Sequence, residues 1–382
     1  MAFHPALHIE DICSSIVDFL CDSSADLKSC AILSRAFTLP AQRYIFREIN
    51  LHAPVSDTLI SACSRLCAVL AASPHLIPLI REMRIRLERE ILTRLAGITF
   101  SRVENLFFCA AEDTLHSEDI TSLAASLLAG PSVRRLKLMS ITFEDMASLR
   151  VLFGRRMTLD LLQLDNISVH RPPSPPGKDG DTSQRCITLN ALEIRADPNF
   201  PEPTWILHPL CPLDFSVLTR IAVFQRTSET IRQLIYLARD SLHTLTIDGR
   251  LMTTDFRLAD IPELQTVRIH GAFNSAQLPT AILSSAGANN IITDIYVTIH
   301  MVGTLDDTSL LHLDATLATH PMPALRAVDI LISRISFPWG ADDETAQFLS
   351  QMAHLGSSFP NLDARGCLRL SSIDGAAPFL PS

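Results

Sequence analysis

The 382 residues are enough for two or three ordinary domains or one long array of repeats. A formal net charge of −9 and a pI near 5.8 argue against a general phosphate-binding surface, which needs clustered Lys and Arg, so no nucleic-acid partner is expected. Hydrophobic residues make up 47% of the chain and aromatic ones only 6%, a balance that suits repeated, thin, aliphatic layers better than one aromatic-rich core.

Taken in chain order, Ile9, Ile12, Cys13, Ile16 and Leu20 recur at the three-and-four spacing of one helix face, with Glu10 and Asp11 in the first turn where the macrodipole favours negative charge. Asp22, Ser23 and Ser24 break that helix. A second short helix is expected from Ser24 or Asp26 through Leu27, Cys30 and Ala31, and a third from Pro40 through Ala41, Tyr44 and Ile45. Pro54 to Ala72 then carries Leu59, Ile60, Cys63, Leu66, Cys67 and Leu70 at helical spacing, which predicts a linker helix within 51–75.

From Ile80 onward one pattern returns: an apolar residue, two others, an apolar, one other, an apolar. It occurs at Ile80-Met83-Ile85, Val103-Leu106-Phe108, Val133-Leu136-Leu138, Leu159-Leu162-Leu164 and Leu189-Leu192-Ile194. It continues at Leu218-Ile221-Val223, Leu242-Leu245-Ile247, Leu264-Val267-Ile269, Ile292-Ile295-Val297 and Leu325-Val328-Ile330, with a degenerate copy from Leu362. Helix signals precede many copies, such as Ser117-Glu118-Asp119 closed by Gly130, Ser228 before ETIRQLIYLA, and Asp306-Asp307 before Pro321. Helix, turn, strand and turn at a period of 22 to 33 residues predict a parallel sheet lining a curved solenoid with helices outside. Two proline-rich stretches interrupt it: 168–185, expected to be a disordered insertion, and 197–212, whose Trp205 is expected to pack on the array. A tail over 372–382 is expected to fray.

The first 50 residues resemble an F-box, the module by which substrate receptors dock on the adaptor subunit of cullin-based SCF ubiquitin ligases. The resemblance is carried by Asp11 and Ile12, the run Ile16 to Leu20, Leu27, Cys30, the trio Leu33-Ser34-Arg35, Phe37, the pair Ile45-Phe46, and Ile49. His8, Ile9 and Glu10 stand where a Leu-Pro is usual before the acid, and Phe37 and Phe46 hold the usual Trp positions. Residues 76–371 resemble leucine-rich repeats, although the expected Asn or Cys after each strand is Ile141, Ile167, Asp197, Arg250 or Ala272, so the turns must find their hydrogen bonds elsewhere.

Together the two resemblances imply an α/β chain with a three-helix F-box-like module followed by a leucine-rich-repeat-like solenoid. The implied role is the substrate-recognition subunit of an SCF-type ubiquitin ligase, with an unidentified protein substrate. Ile12, Ile16, Leu20, Leu33, Phe37 and Phe46 would form or support the adaptor-docking face. Strand alternation sends Glu82, Arg84, Arg86, Arg135, Lys137, Arg195, Arg220, Arg268 and His270 to the concave face, which is therefore expected to be locally basic and to attract an acidic or phosphorylated segment. Reversing Arg84, Arg135 and Lys137 to Glu is expected to abolish capture with little effect on stability. The alternative is a repeat scaffold without a ligase role, whose N-terminal helices cap the first repeat.

Nothing points to catalysis. There is no H-E-x-x-H, G-x-S-x-G, G-x-x-x-x-G-K-[ST] or G-x-G-x-x-G, and acid pairs such as Asp306-Asp307 stand where helices begin. The nine cysteines are scattered without a C-x-x-C pair, and Cys63 and Cys67 lack further ligands at metal-binding spacing, so neither metal nor cofactor is expected. The residues MAFHPALHIED lack the features of a signal peptide, and no apolar run reaches the ~18 residues of a membrane span. No membrane partner is expected, and a cytoplasmic or nuclear location is.

Overall fold

The computed structural model describes residues 9–53, 57–110, 115–116, 118–171, 186–197, 200–224, 229–248, 257–273, 276–301, 305–319, 322–336 and 354–376. The chain divides into two compact units, Met1–Ile187 and Thr188–Ser382.

The first unit opens with α1 (Ile9–Phe19), α2 (Ser24–Leu33) and α3 (Arg35–Ile45). Ser23 caps α2 by accepting the Asp26 N–H at 3.3 Å. Val17, Leu27, Cys30 and Ala41 form a small core, with Leu20, Phe37, Tyr44 and Ile45 packed around it. The Tyr44 hydroxyl donates to Asp18 at 2.8 Å and so ties α3 to α1. Two expectations change here. Pro40 does not open α3 but sits inside it, because the inward face needs both Phe37 before it and Ala41 after it. The apolar residues of α1 also fail to share one face: Cys13, Val17 and Leu20 turn inward, while Ile12, Ile16 and Phe19 turn to solvent.

The sheet of this unit begins earlier than the repeat pattern suggested. β1 (Glu48–Leu51) follows α3 after two residues and pairs in parallel with β2 (Glu82–Arg86), Ile49 opposite Met83 and Leu51 opposite Ile85. Phe46-Ile49-Leu51 is therefore a further copy of the pattern, hidden inside the stretch assigned to the docking module. β3 (Asn105–Cys109), β5 (Arg135–Phe143) and β7 (Leu161–Val169) follow in order, with the short β4 (Leu115–His116) beside β5. The connections carry α4 (Asp57–Ala72), α5 (Arg89–Leu95), α6 (Glu118–Leu128) and α7 (Met146–Leu152), and a short β6 (Met157–Leu159) precedes β7. β7 occupies Ser168 and Val169, so only 172–185 of the proline-rich insertion lies outside the described residues.

In the second unit β9 (Ala191–Arg195), β11 (Arg220–Phe224), β12 (Thr244–Asp248), β13 (Thr266–Phe273), β14 (Asp294–Met301), β15 (Ala327–Ser336) and β16 (Leu368–Ala376) pair in parallel in that order. β8 (Ile187–Leu189) and β10 (Leu213–Asp214) are short. Connections here are α8 (Glu229–Leu237), α9 (Gln277–Leu283), α10 (Asp307–Thr319), α11 (Pro360–Ala364) and single 3-10 turns at Thr204–Leu207, Leu258–Asp260 and Leu355–Ser358. Not every repeat carries a helix, therefore. Trp205 is buried, as expected, and Glu202 from the same loop accepts the Thr230 N–H at 3.1 Å at the start of α8. The last copy begins three residues later than expected: Leu368 and Leu370 stand opposite Val328 and Ile330, while Leu362 is buried in α11. Residues 372–376 are strand rather than frayed tail, and 377–382 lie outside the described residues.

Within each unit the pattern's second and third positions align strand after strand. In the first unit Ile49, Met83, Leu106, Leu136 and Leu162 form one buried row, and Leu51, Ile85, Phe108, Leu138 and Leu164 the next. Both units have a leucine-rich-repeat-like fold on this evidence. At the strand entries, successive repeats are joined by shared backbone bonds. The carbonyl of Arg47 accepts the N–H groups of both Arg81 and Glu82, that of Arg81 serves Glu104 and Asn105, that of Glu104 serves Arg134 and Arg135, and that of Arg134 serves Asp160 and Leu161. In the second unit Asn190, Thr219, His243, Gln265 and Thr293 do the same for the repeat that follows each. Every one of these carbonyls belongs to the residue just after the first apolar position, whatever its side chain.

Beyond the core pair, β5 and β7 change parity. Ser140 and Asn166 adopt left-handed φ of 53° and 54°, each seven residues after its pattern's first position, and Gly271 does so in β13 at 79°. The reversal swings Ile141 and Phe143 in β5, and Ile167 in β7, back into the core, where an Asn or Cys was the family expectation. A left-handed Ser carries strain on the order of 1 kcal/mol. Ser140→Gly is expected to match or raise the melting temperature, and Ser140→Val to lower it, in thermal unfolding of the full chain.

Asp145 caps α7, accepting the Ser148 N–H at 2.8 Å and its hydroxyl at 2.9 Å, and the backbone bond chiefly holds its carboxyl below the ordinary value. A depressed carboxyl contributes stability that is present above the unfolded-state value near pH ~4 and lost as pH falls through the folded one. Asp145→Ala should cost about 1 kcal/mol at pH 7. Asp145→Asn, also a good cap, should keep most of that stability and flatten its decline in acid.

Candidate interaction surfaces

Two surfaces stand out, and the first is on the N-terminal helices. Phe19 and Ile32 are each 88% exposed, Leu33 72%, Ile12 46% and Ile16 44%. Of the residues predicted to dock an adaptor, Ile12, Ile16 and Leu33 thus face solvent, while Leu20 and Phe37 pack on the module's core and Phe46 is a half-buried C-cap of α3. Phe19, Ile32 and Leu39 are exposed on the same helices and were not among the residues expected there. Splitting the apolar residues of α1 into two stripes, with Ile12, Ile16 and Phe19 at spacings of four and three, would have found the first of them.

The second surface is the sheet face turned away from the core. In the first unit Arg84, Arg135 and Lys137 line one depression of about 320 Å³ together with Glu82, Phe107 and Gln163. Several of the cations expected on this face are paired rather than free-standing. Arg84 reaches both Glu48 and Glu82 at 3.0 Å, and Lys137 lies 3.9 Å from Asp165 and 5.3 Å over the Phe107 ring. Arg86 is mostly covered, 17% exposed in its side chain, with Nε 3.6 Å from Glu88 and no hydrogen-bond acceptor among the described residues. In the second unit Arg195 bonds Glu193 at 2.5 Å and stacks 4.5 Å from the Phe224 ring, and Arg268 lies 4.7 Å over Tyr296. His270 stands beside Phe224, its pKa lowered by burial and then by Arg268, which keeps it neutral near pH 7. Asp294 and Asp329 continue the acidic share of this face. Arg84, Lys137, Arg195 and Arg268 thus each stand beside an acid or an aromatic ring, and both units present a mosaic of paired and stacked side chains.

Among the described residues no three His, Cys, Asp or Glu side chains gather as a metal site would need. Burial pushes the Cys63 thiol up to about 12 and that of Cys109 up to about 11, so neither ionises near neutrality. No helix among the described residues is long and apolar enough to cross a membrane.

No family model and no curated protein matches the chain. Among solved structures, one entitled "Crystal structure of TLR13-ssRNA13 complex" is similar at 14% identity and a TM-score of 0.36, over 78% of this chain and 38% of that one. This chain thus spans well under half the length of that structure, and its reading rests on its own residues.

Because Arg84 and Lys137 are paired, reversing Arg84, Arg135 and Lys137 together sets new carboxylates against Glu48, Glu82 and Asp165. The triple variant should lose about 1–2 kcal/mol in denaturant unfolding, whereas Arg135→Glu alone should stay within ~0.5 kcal/mol of the parent.

Proposed function

We propose that this chain is a non-catalytic substrate receptor of an SCF-type ubiquitin ligase. The N-terminal helices dock on the adaptor, and the open sheet face holds the captured protein. The observation that carries the reading is the second apolar stripe of α1, together with exposed apolar residues at the end of α2: Ile12, Ile16, Phe19, Ile32 and Leu33 stand in solvent although the module has its own core. Exposed apolar side chains gathered on so small a module are the signature of an interface. The stacked arginines and aromatic rings of the sheet face suit protein recognition, where both residue types anchor contacts.

A second reading, a repeat scaffold without a ligase role, is favoured by one observation. Only Phe46 and Arg47 separate α3 from β1, so the helices continue directly into the sheet, as a terminal cap would.

Binding of the full chain to purified adaptor separates the two. Ile16→Asp with Leu33→Asp should weaken adaptor binding by more than about a hundredfold, each buried aliphatic side chain being worth ~2 kcal/mol, with an unchanged melting temperature. An unmodified, folded chain that fails to bind the adaptor would leave the scaffold reading standing. A deletion made for the same purpose must stop at residue 45, since one reaching residue 50 removes most of β1 and unfolds the first repeat for an unrelated reason.

A further inference from the structure

On the helix side of the first unit, the C-terminal ends of α6 and α7 border two adjoining depressions of about 360 Å³ each, which share Leu128, Ala129, Arg155 and Met157. One end of this groove is apolar, with the half-buried Ala125, Val151 and Met157. The other is cationic, with Arg134, Arg155 and Arg156. The single carboxylate lining it, Asp160, lies 3.6 Å from Arg134. Arg155 and Arg156 are exposed and make no ion pair or hydrogen bond among the described residues, so the cationic end carries uncompensated charge on an acidic chain. This contrasts with the sheet face, where Arg84 and Lys137 already have acids beside them.

We propose that this groove binds a short acidic and apolar peptide segment of a partner protein. The guanidinium groups of Arg155 and Arg156 would take a carboxylate by paired N–H bonds, and apolar side chains of the peptide would lie along Ala125, Val151 and Met157. A peptide suits the groove better than a lipid chain for a structural reason. The carbonyls of Leu128 and Ala129, at the open end of α6, accept no hydrogen bond among the described residues, and they can accept peptide N–H groups that an acyl chain lacks. The proposal shares no residue with the helical surface or the sheet depression and holds whether or not the chain serves a ligase.

The test uses the full chain and a fluorescein-labelled octapeptide of alternating Asp and Leu, read by fluorescence anisotropy. Its Lys-and-Leu counterpart and phosphatidylserine vesicles run alongside. The acidic peptide should bind saturably and the basic one should not. Arg155→Glu with Arg156→Glu should weaken binding at least about tenfold at an unchanged melting temperature, and Asp160→Asn, which removes the competing carboxylate, should tighten it. Equal binding by the double variant, or association with vesicles in the absence of peptide binding, overturns the proposal.

Discussion

The structure depends on one backbone constraint repeated along each unit: a carbonyl just after the pattern's first apolar residue accepts two successive N–H groups of the next repeat. That shared bond sets where the next strand enters the sheet. Once entry is set, the following apolar residues fall into register with their predecessors and are buried in rows. Since no side chain makes the bond, Arg, Glu, Asn, Thr, His and Gln all occupy the position without harm. The return path is equally unconstrained, provided it covers the rows. A 16-residue helix does so in α4 and a three-residue turn does so at Leu258–Asp260. Irregular repeat length is a consequence of this economy rather than a decay of the fold.

The N-terminal helices answer two demands with one short sequence. Three small helices bury little, so the inward stripe of Cys13, Val17 and Leu20 has to carry their cohesion with Leu27, Cys30 and Ala41. A second stripe on the same helix stays in water, at a hydrophobic cost that the helices' own folding does not recover. That cost is relieved only when another surface covers Ile12, Ile16 and Phe19. The module is also joined to the array through β1, so its orientation follows from the strand that begins two residues after α3 ends.

On the sheet face, parallel register brings residues from strands about 20 to 40 positions apart into contact, and this changes what the charges mean. Arg84 meets Glu48 across β1 and β2, and Lys137 meets Asp165 across β5 and β7. Arginines in such places are oriented by a carboxylate or a ring before any partner arrives, which lowers the conformational entropy lost on binding.

Much of this was legible in the chain. The aliphatic pattern located the strands from Ile80 to Ile330 and their core residues, because parity within a strand is a local property that alternation reveals. Gly130, Asp306 and the acids opening α6 likewise marked helix ends. Three things depended on tertiary structure. Glu48–Leu51 became a strand because β2 was there to pair with it, at the boundary between the stretches assigned to the docking module and the linker helix. The left-handed turns at Ser140 and Asn166 reversed side-chain parity, and only the burial of Ile141 and Ile167 that results explains them. The pairing of Arg84 with Glu48 and of Lys137 with Asp165 was set by register between distant strands, whereas sequence shows a residue's charge but not which acid stands across from it.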